Sequence, residues 1–401
     1  MLDYQFLLSL AFILVSTKLL GLVSRKIHMP QVIGALMAGL ILGPSILNIV
    51  HETTFIEQTA EIGVIVILFL AGLETNIKEI RKSGKAAIII AMLGVIVPLV
   101  MGFGIASLFD PGSDRDTLIK NIFIGIILTA TSVSITVETL TELGKIRTSV
   151  GNSIIMAALL DDVIGIILLT MITGFTSDTA GGSFGMAVLK VLLKIFAFFI
   201  FAALIGLVFN RLFENYSKSL NEKRRFPIIS LAFCLAMAYT AEHFFGVADI
   251  TGAFIAGLVI SNTNHVRYIG RRINTLAYLY LSPIFFAHIG ISTNLRELNL
   301  KMLFFSVALL FTAILSKAIG CGLGARLNRM TCSDSLRVGL GMSPRSEVAL
   351  IIASNGVAYG ILGQQLFPAV ILLVIVSSIA APILLKLSYS SKHEAGIAQR
   401  K

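Results

Sequence analysis

The chain has 401 residues, 56% of them hydrophobic and only 13% charged, with a mean hydropathy of +0.90. A soluble globular protein is about a quarter charged, so soluble enzymes and cytosolic multidomain proteins are excluded. The formal net charge of +10 does not point to nucleic acid, because the basic residues sit in short breaks between apolar runs, as they do in membrane proteins.

Apolar runs of about 20 residues, each able to cross a hydrocarbon layer about 30 Å thick, recur along the whole length. The expected spans, about thirteen, lie at about 4–24, 30–49, 58–77, 86–108, 119–138, 149–174, 185–209, 227–244, 247–262, 274–292, 302–324, 335–359 and 364–386. The first ends at Arg25 and Lys26 without a small-residue cleavage site, so it is expected to stay. Span five contains ILTATSVSIT (Ile127 to Thr136), where Thr129, Thr131, Ser132, Ser134 and Thr136 supply hydroxyls that can bond back to the backbone and loosen a helix. Span six contains AALLDDVIGIILL, which places Asp161 and Asp162 about halfway across. After span seven, Asn210 to Arg225 forms the one long basic break. Span eleven buries Lys317, and span twelve carries SPRSEVALII with Arg345 and Glu347. Residues after about 388 form a short tail.

Lys and Arg are counted at about 19 in alternate loops and about three in the others, which predicts an external N-terminus and a cytoplasmic C-terminus. Cys234, Cys321 and Cys332 have no metal-ligand spacing and read as packing residues. His243 and His288 read as packing histidines. Lys18, Lys190, Lys194, Asp249 and Glu74 lie near membrane faces, where long side chains can reach water.

The chain repeats itself. IGALMAGLILG (Ile33 to Gly43) aligns with TGAFIAGLVIS (Thr251 to Ser261) at an offset of 218, and LFLAGLETNI (Leu68 to Ile77) meets FFAHIGISTNL (Phe285 to Leu295) at the same offset. Small-residue spacing alone can mean simple helix packing, but two motifs in one register indicate duplication. The offset spans seven crossings, an odd number, so the second copy enters the membrane upside down. Inverted repeats of this kind characterise secondary transporters, whose sites lie near mid-membrane on interrupted helices. Subtracting the offset places Glu347 opposite Thr129, which predicts two interrupted helices crossing there. The plainer alternative is two continuous helices packed through hydroxyls.

Ionised carboxylates are costly in a membrane interior and mark function by default. Desolvation and mutual repulsion both oppose two adjacent negative charges, which suits the pair to exchange a proton for a cation. One of the two acids is expected to pair with Lys317, either as a static clamp or as a second proton carrier. Arg345 stays charged and reads as a fixed countercharge to Glu347 or Glu138.

PQVIGALMAGLILGPS, FLAGLETNI, TATSVSITVETLTELGKIRTS, ALLDDVIGI, SKAIGCGLGAR and GMSPRSEVALII, in that order over about residues 1–388, resemble the membrane domain of bacterial monovalent cation:proton antiporters, in the branch of NapA-type, spore-germination and Kef-type exchangers. The resemblance implies an all-α, NhaA-type fold with two inverted six-helix repeats (about 1–174 and 227–388) joined by a linker helix (about 185–209). It implies an elevator with a core and a dimerisation domain, hence a homodimer. By motif position Asp162 would alternate between cation and proton, Asp161 would pair with Lys317, and Thr129, Thr131 and Ser132 would line the crossing. The two acids and the lysine imply electrogenic Na+/H+ exchange, two protons per sodium. Kef-type relatives carry Gln-Asp and a nucleotide-binding regulatory domain; this chain carries Asp-Asp and stops soon after span thirteen, so no attached regulatory domain is expected. No cofactor is expected either. K+/H+ exchange and a non-transporting membrane sensor are the alternatives, and an enzyme is not expected.

Overall fold

In the computed structural model, which describes residues 4–27, 29–75, 77–112, 114–176, 184–219, 225–292, 300–345 and 347–390, every described regular element is a helix. Helices α1 (Gln5–Lys26), α2 (Gln31–Leu42), α3 (Thr54–Glu74) and α4 (Ile77–Phe109) precede α5 (Arg115–Ile127), α6 (Val133–Glu142), α7 (Ser149–Thr176) and α8 (Phe184–Ser219). Next come α9 (Arg225–Thr240), which passes into a π-helical turn at Ala241–Phe245, and α10 (Asp249–Ser261). A second π-helical turn, Ala277–Leu281, joins α11 (Val266–Leu276) to α12 (Ser282–Ile291). The remaining helices are α13 (Leu300–Leu327), α14 (Cys332–Gly341), α15 (Glu347–Ala358) and α16 (Phe367–Ser390).

Among the described residues, seven helical stretches are long and apolar enough to cross a membrane unaided, so the chain is an all-helical, multi-pass membrane protein. Helix covers each expected span, but spans five and twelve are split, into α5 with α6 and α14 with α15. The reasons are local. In the second break Pro344 has no N–H to donate and disfavours helical backbone at Ser343. In the first, the Thr129 N–H and hydroxyl both turn to the Ile126 carbonyl, 2.9 and 2.7 Å away, and close α5 in a tight turn. Ser132 then caps α6 by accepting from the Ile135 N–H.

Two expectations need correction. Helix α5 stops at Ile127 and α14 at Gly341, an offset of 214, so Ser343 rather than Glu347 stands at the position equivalent to Thr129. The slip of four is about one helical turn and arises because Pro344 fixes where the second helix stops. The basic loop also starts later than expected, because α8 continues past Asn210 to Ser219. A helix that leaves the membrane keeps its backbone bonds while long basic side chains reach water.

Two hydrophobic cores organise the bundle. One fills the space among α4–α7 and α13–α16 and extends onto faces of α2, α3 and α12. The other joins α3 with α8–α11. Helix α7 lies along their seam, since Ala157 and Ala158 pack in the first core and Val163 and Ile167 against the second.

Helices α2 and α12 cross with Gly39 against Gly290, and α3 and α10 cross with Gly72 against Gly257, so closely that a Cβ at any of the four would collide with facing backbone. The two crossings are reciprocal, because the 218-residue offset carries Gly39 to Gly257 and Gly72 to Gly290. Gly72→Ala should therefore destabilise the protein by about 1–3 kcal/mol through overpacking. Gly84→Ala should be neutral or stabilising, because open space surrounds Gly84 and alanine favours helix. Thermal unfolding in detergent checks the pair; equal shifts would contradict the crossing.

Candidate functional site

The two breaks meet. The Ser132 N–H donates to the Pro344 carbonyl (2.8 Å), and the Thr136 hydroxyl donates to the Gly341 carbonyl (2.6 Å). Each broken helix thus satisfies part of the other's freed backbone, which an apolar setting requires.

Asp161 and Asp162 approach this crossing from α7 and are both buried, at 2% and 7% exposure. Consecutive helical residues point about 100° apart, so they cannot share surroundings. Lys317 Nζ from α13 donates to both Asp161 oxygens, at 3.0 and 2.9 Å, and Thr131 donates its hydroxyl to Oδ2 at 2.7 Å. Neither side chain of the Lys317–Asp161 ion pair is more than 1% exposed. Asp162 precedes Val163 on the part of α7 that turns to the second core.

Arg345 is fully buried in the second break and binds three other parts of the fold, the first break, α13 and α16. Its guanidinium donates to the Ala130 carbonyl, to the Thr131 hydroxyl (3.4 Å) and to the Ala313 carbonyl of α13 (3.3 Å). Its N–H donates to Ser377 Oγ (3.2 Å), and its carbonyl accepts from Ser378 Oγ (2.6 Å), both on α16. Toward the first break the positive charge faces the Ala130 carbonyl, in the segment that follows the negative end of α5. Thr131 accepts from Arg345 and donates to Asp161, so one hydroxyl couples the arginine to the ion pair.

The family profile described as sodium/hydrogen exchanger, transmembrane, matches residues 11–387. The chain belongs to the sodium/hydrogen exchanger family. Among similar proteins, the Na(+)/H(+)-K(+) antiporter GerN of Bacillus cereus is 34% identical over 395 residues, 98% of each chain. A Na(+)/H(+) antiporter of Enterococcus hirae is 31% identical over 382 residues, 95% of this chain and 97% of its own. The structure of the sodium proton antiporter MjNhaP1 from Methanocaldococcus jannaschii superimposes with a TM-score of 0.74 over 98% of this chain and 97% of its own; at 16% identity it attests the fold. These relatives are transporters.

Glu138 of this exchanger sits elsewhere than expected. It is not among the partners of Arg345, because α6 carries it away from the crossing by about 1.5 Å per residue over seven residues from Thr131. Glu138 instead lines a cavity of about 430 Å³ with Thr141, Glu142, Gln31, Lys18 and Tyr278. Glu347 opens α15, and its side chain lies outside the described residues. Thr129 and Ser132 are buried in the first break, their hydroxyls directed at the ends of α5 and α6.

Sequence reasoning missed Glu142. Its carboxylate accepts from the Gln31 N–H (2.7 Å) and the Val32 N–H (3.2 Å), capping α2 from the end of α6. The signal was Pro30, which begins α2 and offers no side-chain cap. Other peripheral groups are engaged too. Lys18 donates to the Tyr278 hydroxyl, Asp249 accepts from the Ile250 N–H, and Glu74 pairs with Arg147 at 3.6 Å. His288 Nε2 lies 2.8 Å from Glu52 Oε1, and this hydrogen bond holds the Glu52 carboxyl below the ordinary carboxylate range.

Proposed function

We propose that the protein exchanges cytoplasmic Na+ for external protons across the bacterial cell membrane, with Asp162 holding cation and proton in turn. The observation that carries this is the division of labour on α7. Asp161 is neutralised by Lys317 and Thr131, while its neighbour is directed about 100° away, at the seam between the two cores and beside the crossed breaks. Backbone carbonyls and hydroxyls at the breaks, by exchanging their present partners for the ion, would complete the ligand set that a partly dehydrated cation needs. Since one carboxylate takes either passenger, the fluxes are coupled without a cofactor.

The exchange is electrogenic, two protons per sodium, with the Lys317–Asp161 pair carrying the second proton. The N-terminus is external, and the Lys- and Arg-rich end of the bundle faces the cytoplasm. Residues 1–388 form one transport unit of two inverted copies joined through α8, and the reciprocal glycine crossings support this arrangement. The elevator consists of α4–α7 with α13–α16 moving against the remaining helices. Glu142 of the moving group must then release Gln31 and Val32 whenever the site turns outward. The exposed apolar sides of α1 and α8 are the surfaces that lipid or the second copy of a homodimer would cover.

The test is transport by purified protein in proteoliposomes carrying a trapped pH dye. An outward proton leak triggered by Na+ and saturating with it supports the reading. A response to K+ as well would assign the broader selectivity printed in the name of the Bacillus cereus relative. No response to either ion, from folded protein, would favour a sensor instead.

Glu138 has a distinct part in this reading. When ionised, Glu138 and Glu142 outweigh Lys18 in the wall of the cytoplasmic cavity and raise the local concentration of cations. Glu138→Gln is expected to raise the KM for Na+ about three- to tenfold with kcat nearly unchanged, and the change should shrink at high ionic strength. A loss confined to kcat would place Glu138 in the carrier step instead.

A further inference from the structure

At the basic end of the bundle a second cavity of about 600 Å³, large enough for a small ligand, opens between α3, the start of α7, α10 and α11. Three arginines line it. Arg267 and Arg271 stand one turn apart on α11 and so share a face, while Arg147 approaches from the segment just before α7. Among the described residues the only carboxylate lining it is Glu74, 3.6 Å from Arg147. Three positive charges against one negative leave an excess of two, and the amides of Asn262 and Asn274 add neutral donors. Arg272 marks the contrast, being turned onto the Tyr268 ring at 5.5 Å and absent from the cavity wall.

Basic residues at a cytoplasmic face commonly meet lipid headgroups without any built site. Here the charges converge on a concave wall from two elements that belong to different cores. Guanidinium groups favour phosphate, which they bind in a fork of paired hydrogen bonds, and a phosphomonoester carries the charge of about −1.5 to −2 that the excess calls for.

We infer that this cavity is a binding site for a phosphate group, presented either by an anionic phospholipid or by a soluble phosphate compound. The site does not include Asp162 or Glu138, although Asn274 lines both it and the cytoplasmic cavity beside Glu138. Since Arg147 leads into α7 and the α11 arginines belong to the other core, a bound phosphate ties the two together across the seam. Slower exchange on binding follows from that tie, and this consequence alone rests on the elevator reading.

The experiment has two arms on the purified, detergent-solubilised full chain. In one, inorganic pyrophosphate is titrated by calorimetry in an uncharged detergent; in the other, dioleoyl phosphatidic acid is added to the micelles and followed by thermal shift. Saturable binding is expected in at least one arm. It should weaken at least tenfold in Arg267→Gln/Arg271→Gln and stay unchanged in Arg272→Gln, with Na+/H+ exchange retained in both as a check on folding. Binding of pyrophosphate assigns a soluble ligand, and binding of phosphatidic acid alone assigns the lipid. The site would be overturned by no saturable binding in either arm, by binding indifferent to the double variant, or by equal loss in Arg272→Gln. Phosphate binding without slowed exchange would leave the site standing and count against the elevator.

Discussion

Asp162→Asn is expected to reduce cation-dependent proton movement in proteoliposomes to the level of empty vesicles. Asparagine nearly matches aspartate in shape, so helix α7 and its packing should survive, and the thermal midpoint should not fall. What it lacks is the charge that, in the proposed cycle, holds a cation and the basic oxygen that takes up a proton. Both passengers lose their carrier at once, so Na+-driven and K+-driven responses should vanish together. Asp162→Glu keeps the carboxylate but lengthens its reach, and should retain partial exchange with weaker cation affinity. Normal rates in Asp162→Asn would remove this residue from the mechanism, whatever the fate of the fold.

The second large effect concerns the buried ion pair. Lys317→Ala leaves the Asp161 charge without its ammonium in a site 1% exposed, and breaking a buried pair in this way costs about 3–5 kcal/mol. Removing both charges together, as Asp161→Asn/Lys317→Met, should restore most of that loss, since well-packed apolar replacements of buried pairs are often neutral or better. Thermal unfolding of Asp161→Asn, of Lys317→Met and of the double variant measures the coupling, and additive losses would mean that the pair is not energetically linked. The same double variant separates clamp from carrier. If the pair moves the second proton, the folded double variant should still exchange, yet its rate should no longer respond to an imposed membrane potential.

The sequence carried the broken helices because their causes are local. Pro344 and the hydroxyl run from Thr129 to Thr136 each disrupt a helix by their own chemistry. The nearness of Lys317 to the acids was legible for a different reason, since three charges in an apolar interior must compensate one another. Register was not legible. A fixed offset assumes equal loops, and the four-residue slip before the second break leaves no mark in motifs far upstream. Sequence shows formal charges only and so points Arg345 to a carboxylate; the carbonyls it meets are that of Ala130, freed by a break whose geometry exists only in three dimensions, and that of Ala313 within α13. Glu142 escaped for a similar reason, as its two partners are backbone amides 111 and 110 residues away.

The glycine crossings also say where the molecule is welded and where it is merely greased. Gly39, Gly72, Gly257 and Gly290 join α2, α3, α10 and α12 backbone to backbone. Gly102 with Gly125, Gly320 with Leu93 and Gly339 with Ala318 do the same among α4, α5, α13 and α14. Among the described glycines, none makes such a contact from one group to the other. Across the seam the facing surfaces are side chains, which can change partners by rotamer hops without unfastening a helix, whereas a weld has no intermediate setting. Apart from the Glu142 bonds to Gln31 and Val32 and the Glu74–Arg147 pair, any sliding between the two groups would then meet friction rather than rupture.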